Sequence, residues 1–122
     1  MSYATPPGPG SADLHAWQRF VESVSVYPGR GTLTGLAYTG LGLAEEAGEA
    51  AGKVKKLIRG DFVGREEDFE QLMKKELGDV LWYLAALSNE LGFSLKDALE
   101  ATEEKLEDRA RRGVIRGSGD ER

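Results

Sequence analysis

The chain reads as an all-α protein, an antiparallel helical bundle of about four helices, completed by dimerisation. Three observations predict this. Apolar residues recur at spacings of three and four along four segments, glycine and proline punctuate the short gaps, and no segment alternates with the period of two that a strand needs. Short gaps favour antiparallel neighbours. Residues 80–87 are apolar nearly all the way round, and such a helix is buried on several sides. A chain of 122 residues has few covers of its own, so a second subunit is the expected one.

The elements follow in order. Residues 1–12 include Pro6, Pro7, Gly8, Pro9 and Gly10 and read as a disordered arm. Asp13 or Ser11 caps a first helix, in which Leu14, Trp17, Val21 and Val24 share a face, and Pro28, Gly29 and Gly31 end it. The second helix is predicted from about Leu36 to Arg59, with Leu43, Ala47, Ala50, Val54, Leu57 and Ile58 as its packing stripe. Gly60 stops it, and Lys55, Lys56 and Arg59 suit the negative end of its dipole. The third runs from about Arg65 to Leu91, with Glu66, Glu67 and Asp68 in its first turn. Gly92 ends it. Ser94 and Asp97 read as a capping box for a fourth helix, from about Leu95 to Arg112. Residues 114–122 form a tail rich in glycine and arginine.

Composition removes whole chemistries. There is no cysteine and one histidine, so thiolate zinc sites, iron–sulfur clusters, cysteine nucleophiles and His-rich metal sites are excluded. A metal here leans on oxygen, which points to hard cations such as Mg²⁺ or Mn²⁺. No apolar run reaches the ~20 residues of a membrane span, and no secretory signal is visible, so a cytoplasmic protein is expected. The net charge of −5 argues against a nucleic-acid polymer as partner, though not against a small anion.

Two acidic groups stand out: Glu45, Glu46 and Glu49 in the second helix, and Glu76 and Asp79 in the third. Residues three apart sit ~60° apart around a helix and one turn along it, so Glu46 and Glu49 converge, as do Glu76 and Asp79. If the two helices pack antiparallel, four carboxylates face one cleft. Their mutual repulsion is what a divalent cation offsets. A di-iron site would need Glu-x-x-His on two helices, and neither is present. Such acidic strings also occur on solvated helices, and His15 reads as a surface or interface side chain. Lys53 and Lys56 follow Glu49 by four and seven residues; they either pair with acids along the helix or reach a phosphate. Tyr83, four residues after Asp79, lies near the acid row, and Tyr38 is a weaker candidate. Trp17 and Trp82 read as core or interface. Arg112 and Arg116, beside the Gly/Ser-rich end, either hold phosphate or sit in a solvated terminus. No phosphate loop of the G-x-x-x-x-G-K-[ST] type is present.

These motifs resemble the MazG-like members of the all-α nucleoside triphosphate pyrophosphohydrolases. The signature E-E-x-x-E, a gap, then E-x-x-D stands here as Glu45-Glu46-x-x-Glu49 and Glu76-x-x-Asp79. The flanks, Gly40 to Ala44 and Gly78 to Leu84, look like the family too, and Arg112 to Asp120 resembles a tail of one bacterial branch. The resemblance makes residues 13–113 a MazG-like domain. It implies Mg²⁺-dependent hydrolysis of a nucleoside triphosphate to the monophosphate and pyrophosphate. It implies Glu46, Glu49, Glu76 and Asp79 as metal ligands. Glu45 would then be the base that orients water or an outer carboxylate, and Tyr83 a nucleotide contact. Lys53, Lys56, Arg112 and Arg116 are the candidate phosphate contacts. Relatives work as homodimers or dimers of dimers. The alternatives are a narrow dUTP or dCTP pyrophosphatase, a phosphoribosyl-ATP pyrophosphohydrolase, or a non-catalytic helical dimer that binds nucleotide or a protein partner.

Overall fold

A computed structural model describes residues 13–119. The expected arm, residues 1–12, and the last three residues of the tail lie outside them. Four helices follow one another with no strand among the described residues: α1, Leu14–Val24; α2, Leu33–Arg59; α3, Glu66–Leu91; α4, Leu95–Arg111. No helix is long and apolar enough to cross a membrane.

Local chemistry sets the ends. The Asp13 carboxylate accepts from the amides of His15 and Ala16 at 3.0 and 3.1 Å and caps α1. Those bonds, that to Ala16 foremost, hold its pKa below the usual carboxylate value. α2 begins a turn earlier than its apolar pattern suggests, because a backbone group does the capping. The Gly29 carbonyl accepts from Thr32 and Gly35 amides, each at 3.0 Å, and from the Thr32 hydroxyl. Gly60 ends α2 at φ 96°, a conformation open to glycine at little cost. Ser94 caps α4 by accepting from Lys96, while Asp97 donates its amide to the Ser94 carbonyl; the cap is simpler than the reciprocal box expected.

α2 and α3 form the central hairpin. Their cross-helix neighbours run in opposite order, Gly35 with Glu90, Gly42 with Tyr83, Lys53 with Glu76, so the pair is antiparallel as expected. α1 packs on α3, where Val21, Ala85 and Ala86 form the fully buried core with Trp17, Tyr27, Trp82 and Leu95 around it. α4 touches α1 and α3 but not α2.

The packing stripe expected for α2 is corrected by the structure. Ala50 is buried, but Ala47 is exposed and Ile58 is 82% exposed. The face that meets α3 carries Gly35, Thr39, Gly42, Glu46, Ala50 and Lys53 instead. Small residues let the two backbones approach, and the buried Thr39 hydroxyl is satisfied by the Gly35 carbonyl one turn back, at 2.9 Å. Polar side chains on that face gather at one level, and that level is the candidate site.

Candidate active site

The α2–α3 hairpin brings Glu46, Glu76 and Asp79 together. One carboxylate oxygen from each lies within 4.8 Å of the others. Glu46 faces α3 from the middle of α2; Glu76 and Asp79 answer from one turn of α3. Glu76 is buried, and the other two are partly so. Burial, then the charges of Asp79, Glu76, Glu45 and Glu49 in that order, push the Glu46 pKa above the usual carboxylate value. Oxygen donors of this kind suit a hard divalent cation.

Glu49 stands outside the trio. Its half-exposed carboxylate lies 4.0 Å from the Lys53 ammonium, whose other partner is Glu76 at 3.9 Å. Lys53 thus pairs with an acid on its own helix and, across the hairpin, with Glu76 of α3. Glu45 is exposed beside the trio, close enough for its charge to act on Glu46 and Tyr83. Lys56 turns elsewhere; its charge acts on Asp61, in the α2–α3 turn. Arg112 pairs with Asp108 at 2.9 Å, and Arg116 is exposed. Neither lines the acid cleft, because the helix that leads to them does not touch α2.

A cleft of about 290 Å³ opens at the trio, lined by Glu46, Asp79, Trp82 and Tyr83. Tyr83 packs closely on α2 because Gly42 has no side chain: a Cβ there would lie 2.2 Å from the nearest ring carbon. Burial raises the Tyr83 pKa most, followed by the neighbouring Tyr38, Glu46 and Glu45, so its phenol stays a proton donor. Trp82 meets Tyr83 edge-on at 5.0 Å between centroids. The reading of Trp82 as core or interface is thus incomplete, since one part of it walls the cleft. Its spacing, three residues beyond Asp79, was the available signal. Trp17 does sit at the core edge, donating to the Leu81 carbonyl at 3.2 Å. Tyr27 and Tyr38 back the wall, and sequence reasoning passed over Tyr27 altogether.

The fold and site together define an all-helical protein with a carboxylate centre in its central hairpin. Comparison makes this specific: residues 36–114 match the MazG nucleotide pyrophosphohydrolase domain, and the chain belongs to that family. It is also similar to the Gene 37 protein of Mycobacterium phage L5, 44% identical over 110 residues, which span 87% of this chain and 96% of the phage protein. No solved structure matches the chain.

Proposed function

We propose that this chain is a Mg²⁺-dependent nucleoside triphosphate pyrophosphohydrolase of the cytoplasm. The convergence of Glu46, Glu76 and Asp79 carries the reading. These three would hold the metal, with Glu49 joining by a side-chain rotation that releases Lys53. Bound there, Mg²⁺ (or Mn²⁺) would neutralise phosphate charge and polarise the phosphoryl oxygens. The protein's own groups do the rest. Glu45 or a neighbouring carboxylate accepts a proton from water as its oxygen bonds to the α-phosphorus. The bond from that phosphorus to the α–β bridging oxygen breaks, and pyrophosphate leaves. Lys53 offers its charge to the phosphates. Trp82 and Tyr83 supply an apolar flank with one hydroxyl, suited to the nucleoside. Within one protomer we give Lys56, Arg112 and Arg116 no role.

We further propose self-association, through a face other than the one expected. Within residues 80–87, Ala85 and Ala86 are buried in the core with Val21 of α1, and all the others except Leu81 are partly covered. The uncovered row is on α2: Leu33, Ala37, Gly40, Ala44, Ala47, Ala51, Val54 and Ile58 recur at four and three, and all but Gly40 are exposed. A second copy is the occupant that hides such a row in a chain whose own core is so small.

The test is a panel of ribo- and deoxyribonucleoside triphosphates with Mg²⁺, reading products by phosphorus NMR. Monophosphate and pyrophosphate are expected, with loss of about 10²-fold or more in Glu46→Gln. Diphosphate and orthophosphate, or full activity in that variant, would overturn the reading. Confinement to one pyrimidine nucleotide would narrow it.

A further inference from the structure

Glu90 lies at the last turns of α3, eleven residues beyond Asp79, and has no part in the acid trio. Its carboxylate nonetheless makes a concentrated set of contacts. One oxygen accepts the Tyr27 hydroxyl, and both accept the Gly31 amide, at 3.3 and 3.1 Å. Both donors belong to the segment that links α1 to α2. Gly35, at the start of α2, lets the segment settle there: a Cβ at Gly35 would collide with the Gly29 carbonyl and lie 3.0 Å from the Glu90 carboxylate. Arg30 turns back to the end of α1, donating to the Ser25 carbonyl at 2.9 Å, and lies 6.0 Å from the Tyr27 ring. The segment is therefore tied at both ends and in its middle.

What the tie holds is the Tyr27 ring. Tyr27 stacks on Tyr38 of α2, with centroids 5.6 Å apart and planes 5° from parallel, and meets Trp82 edge-on at 6.3 Å. Trp82 in turn meets Tyr83, and both line the acid cleft. A continuous path of contacts leads from Glu90 through Tyr27 to the aromatic side of the cleft, and it bypasses the carboxylates. Aromatic pairs of this kind prefer offset-stacked and edge-on arrangements, so each ring favours one orientation of the next.

We infer that Glu90 is a positioning residue for substrate: by latching the α1–α2 segment it presses Tyr27 against Tyr38 and Trp82, and so fixes the wall that receives the nucleoside. The inference rests on the proposed nucleotide site, and it assigns the two ends of the cleft to separate control. Carboxylates govern metal and chemistry; the latch governs the fit of base and sugar. Burial and the bond to Glu90 raise the Tyr27 pKa to about 12, so the phenol keeps its proton, and the latch stays closed, through the neutral range.

Glu90→Gln and Tyr27→Phe test this. Phe keeps the ring and removes only the bond to Glu90, so it serves if Glu90→Gln folds poorly. Both variants are expected to bind Mn²⁺ without nucleotide as the wild type does. Their near-UV circular dichroism should weaken at unchanged helix content, and KM for the nucleotide should rise about tenfold while kcat changes less than about threefold. Ser94→Ala, which weakens a remote cap, controls for general destabilisation and should leave KM alone. Unchanged near-UV signal and KM in both variants would overturn the latch, as would equal losses in KM, kcat and Mn²⁺ binding. A wild type that hydrolyses no nucleotide would sink the proposed function instead; the near-UV signal then still decides whether Glu90 orders the wall.

Discussion

Burial and neighbouring acids disfavour the charged form of Glu46. Its folded pKa lies above that of the unfolded chain, from burial and from four neighbouring acids. The sign of the linkage follows: the folded protein binds this proton more tightly, so the stabilisation is full below the ordinary carboxylate range and lost as pH rises through the raised value. Metal-free Glu46→Gln is therefore expected to melt above the wild type at pH 7.5, with the gap closing toward pH 4. Excess Mn²⁺ should reverse the order at pH 7.5, because only the wild type gains the full ligand set. Melting curves in EDTA and in Mn²⁺ at both pH values check this. Lys53 is the counterpart. Replacing it with Met takes a positive charge from beside Glu76, so Mn²⁺ should bind several-fold tighter by calorimetry, while the metal-free protein loses about 1 kcal/mol.

At the scale of elements, two contacts decide how the helices sit. Gly42 is the slot for Tyr83. Ala is the better helix former by about 1 kcal/mol, but its methyl would occupy the ring's position and cost about 1–3 kcal/mol in overpacking. Gly42→Ala should lower the melting temperature and raise KM together, the reverse of what an exposed helical glycine would do. Gln18 is the anchor of α4. Its amide nitrogen donates to the Asn89 side chain and the Phe93 carbonyl, both at 2.9 Å, and its oxygen accepts the Leu95 amide at 2.8 Å. Every polar atom of this buried side chain is used. Gln18→Leu leaves those partners stranded and should cost about 2–3 kcal/mol in denaturant titrations, although a glutamine on an α1 face invites replacement by an apolar residue.

The molecule as a whole has a small core for its length. Val21, Ala50, Phe62, Ala85 and Ala86 are its buried apolar residues among those described, while Leu33 is 80% exposed and Leu41 72%. Helix α4 leans on α1 and α3 alone. Such a protomer leaves apolar surface that a second copy would cover. Light scattering at micromolar concentration should give at least twice the 13.3 kDa mass, and Ala44→Glu with Ala51→Glu should shift it toward the monomer. A monomeric wild type would overturn that proposal. The net charge of −5 also gains an address here: three of the 21 acids meet in the central hairpin, where a cation would relieve them, and Lys53 alone among the candidate phosphate cations stands beside them.

The sequence by itself determined the helices, their stops and which acids stand three residues apart. These are local: a 3.6-residue period, a left-handed glycine at a helix end and a three-residue spacing between carboxylates are set within a few turns of chain. Which face of α2 turns inward was not local. Much of the apolar row that looked like core (Ala47, Val54, Leu57, Ile58) faces out, and a row of glycine, threonine, alanine, glutamate and lysine faces α3, because close backbone approach favours small side chains. The roles of Gly42, Tyr27 and Glu90 were equally out of reach. Each depends on a partner 41 to 63 residues away, Tyr83 for the first and the Tyr27–Glu90 pair for the others, and only the packed hairpin brings such partners to one place.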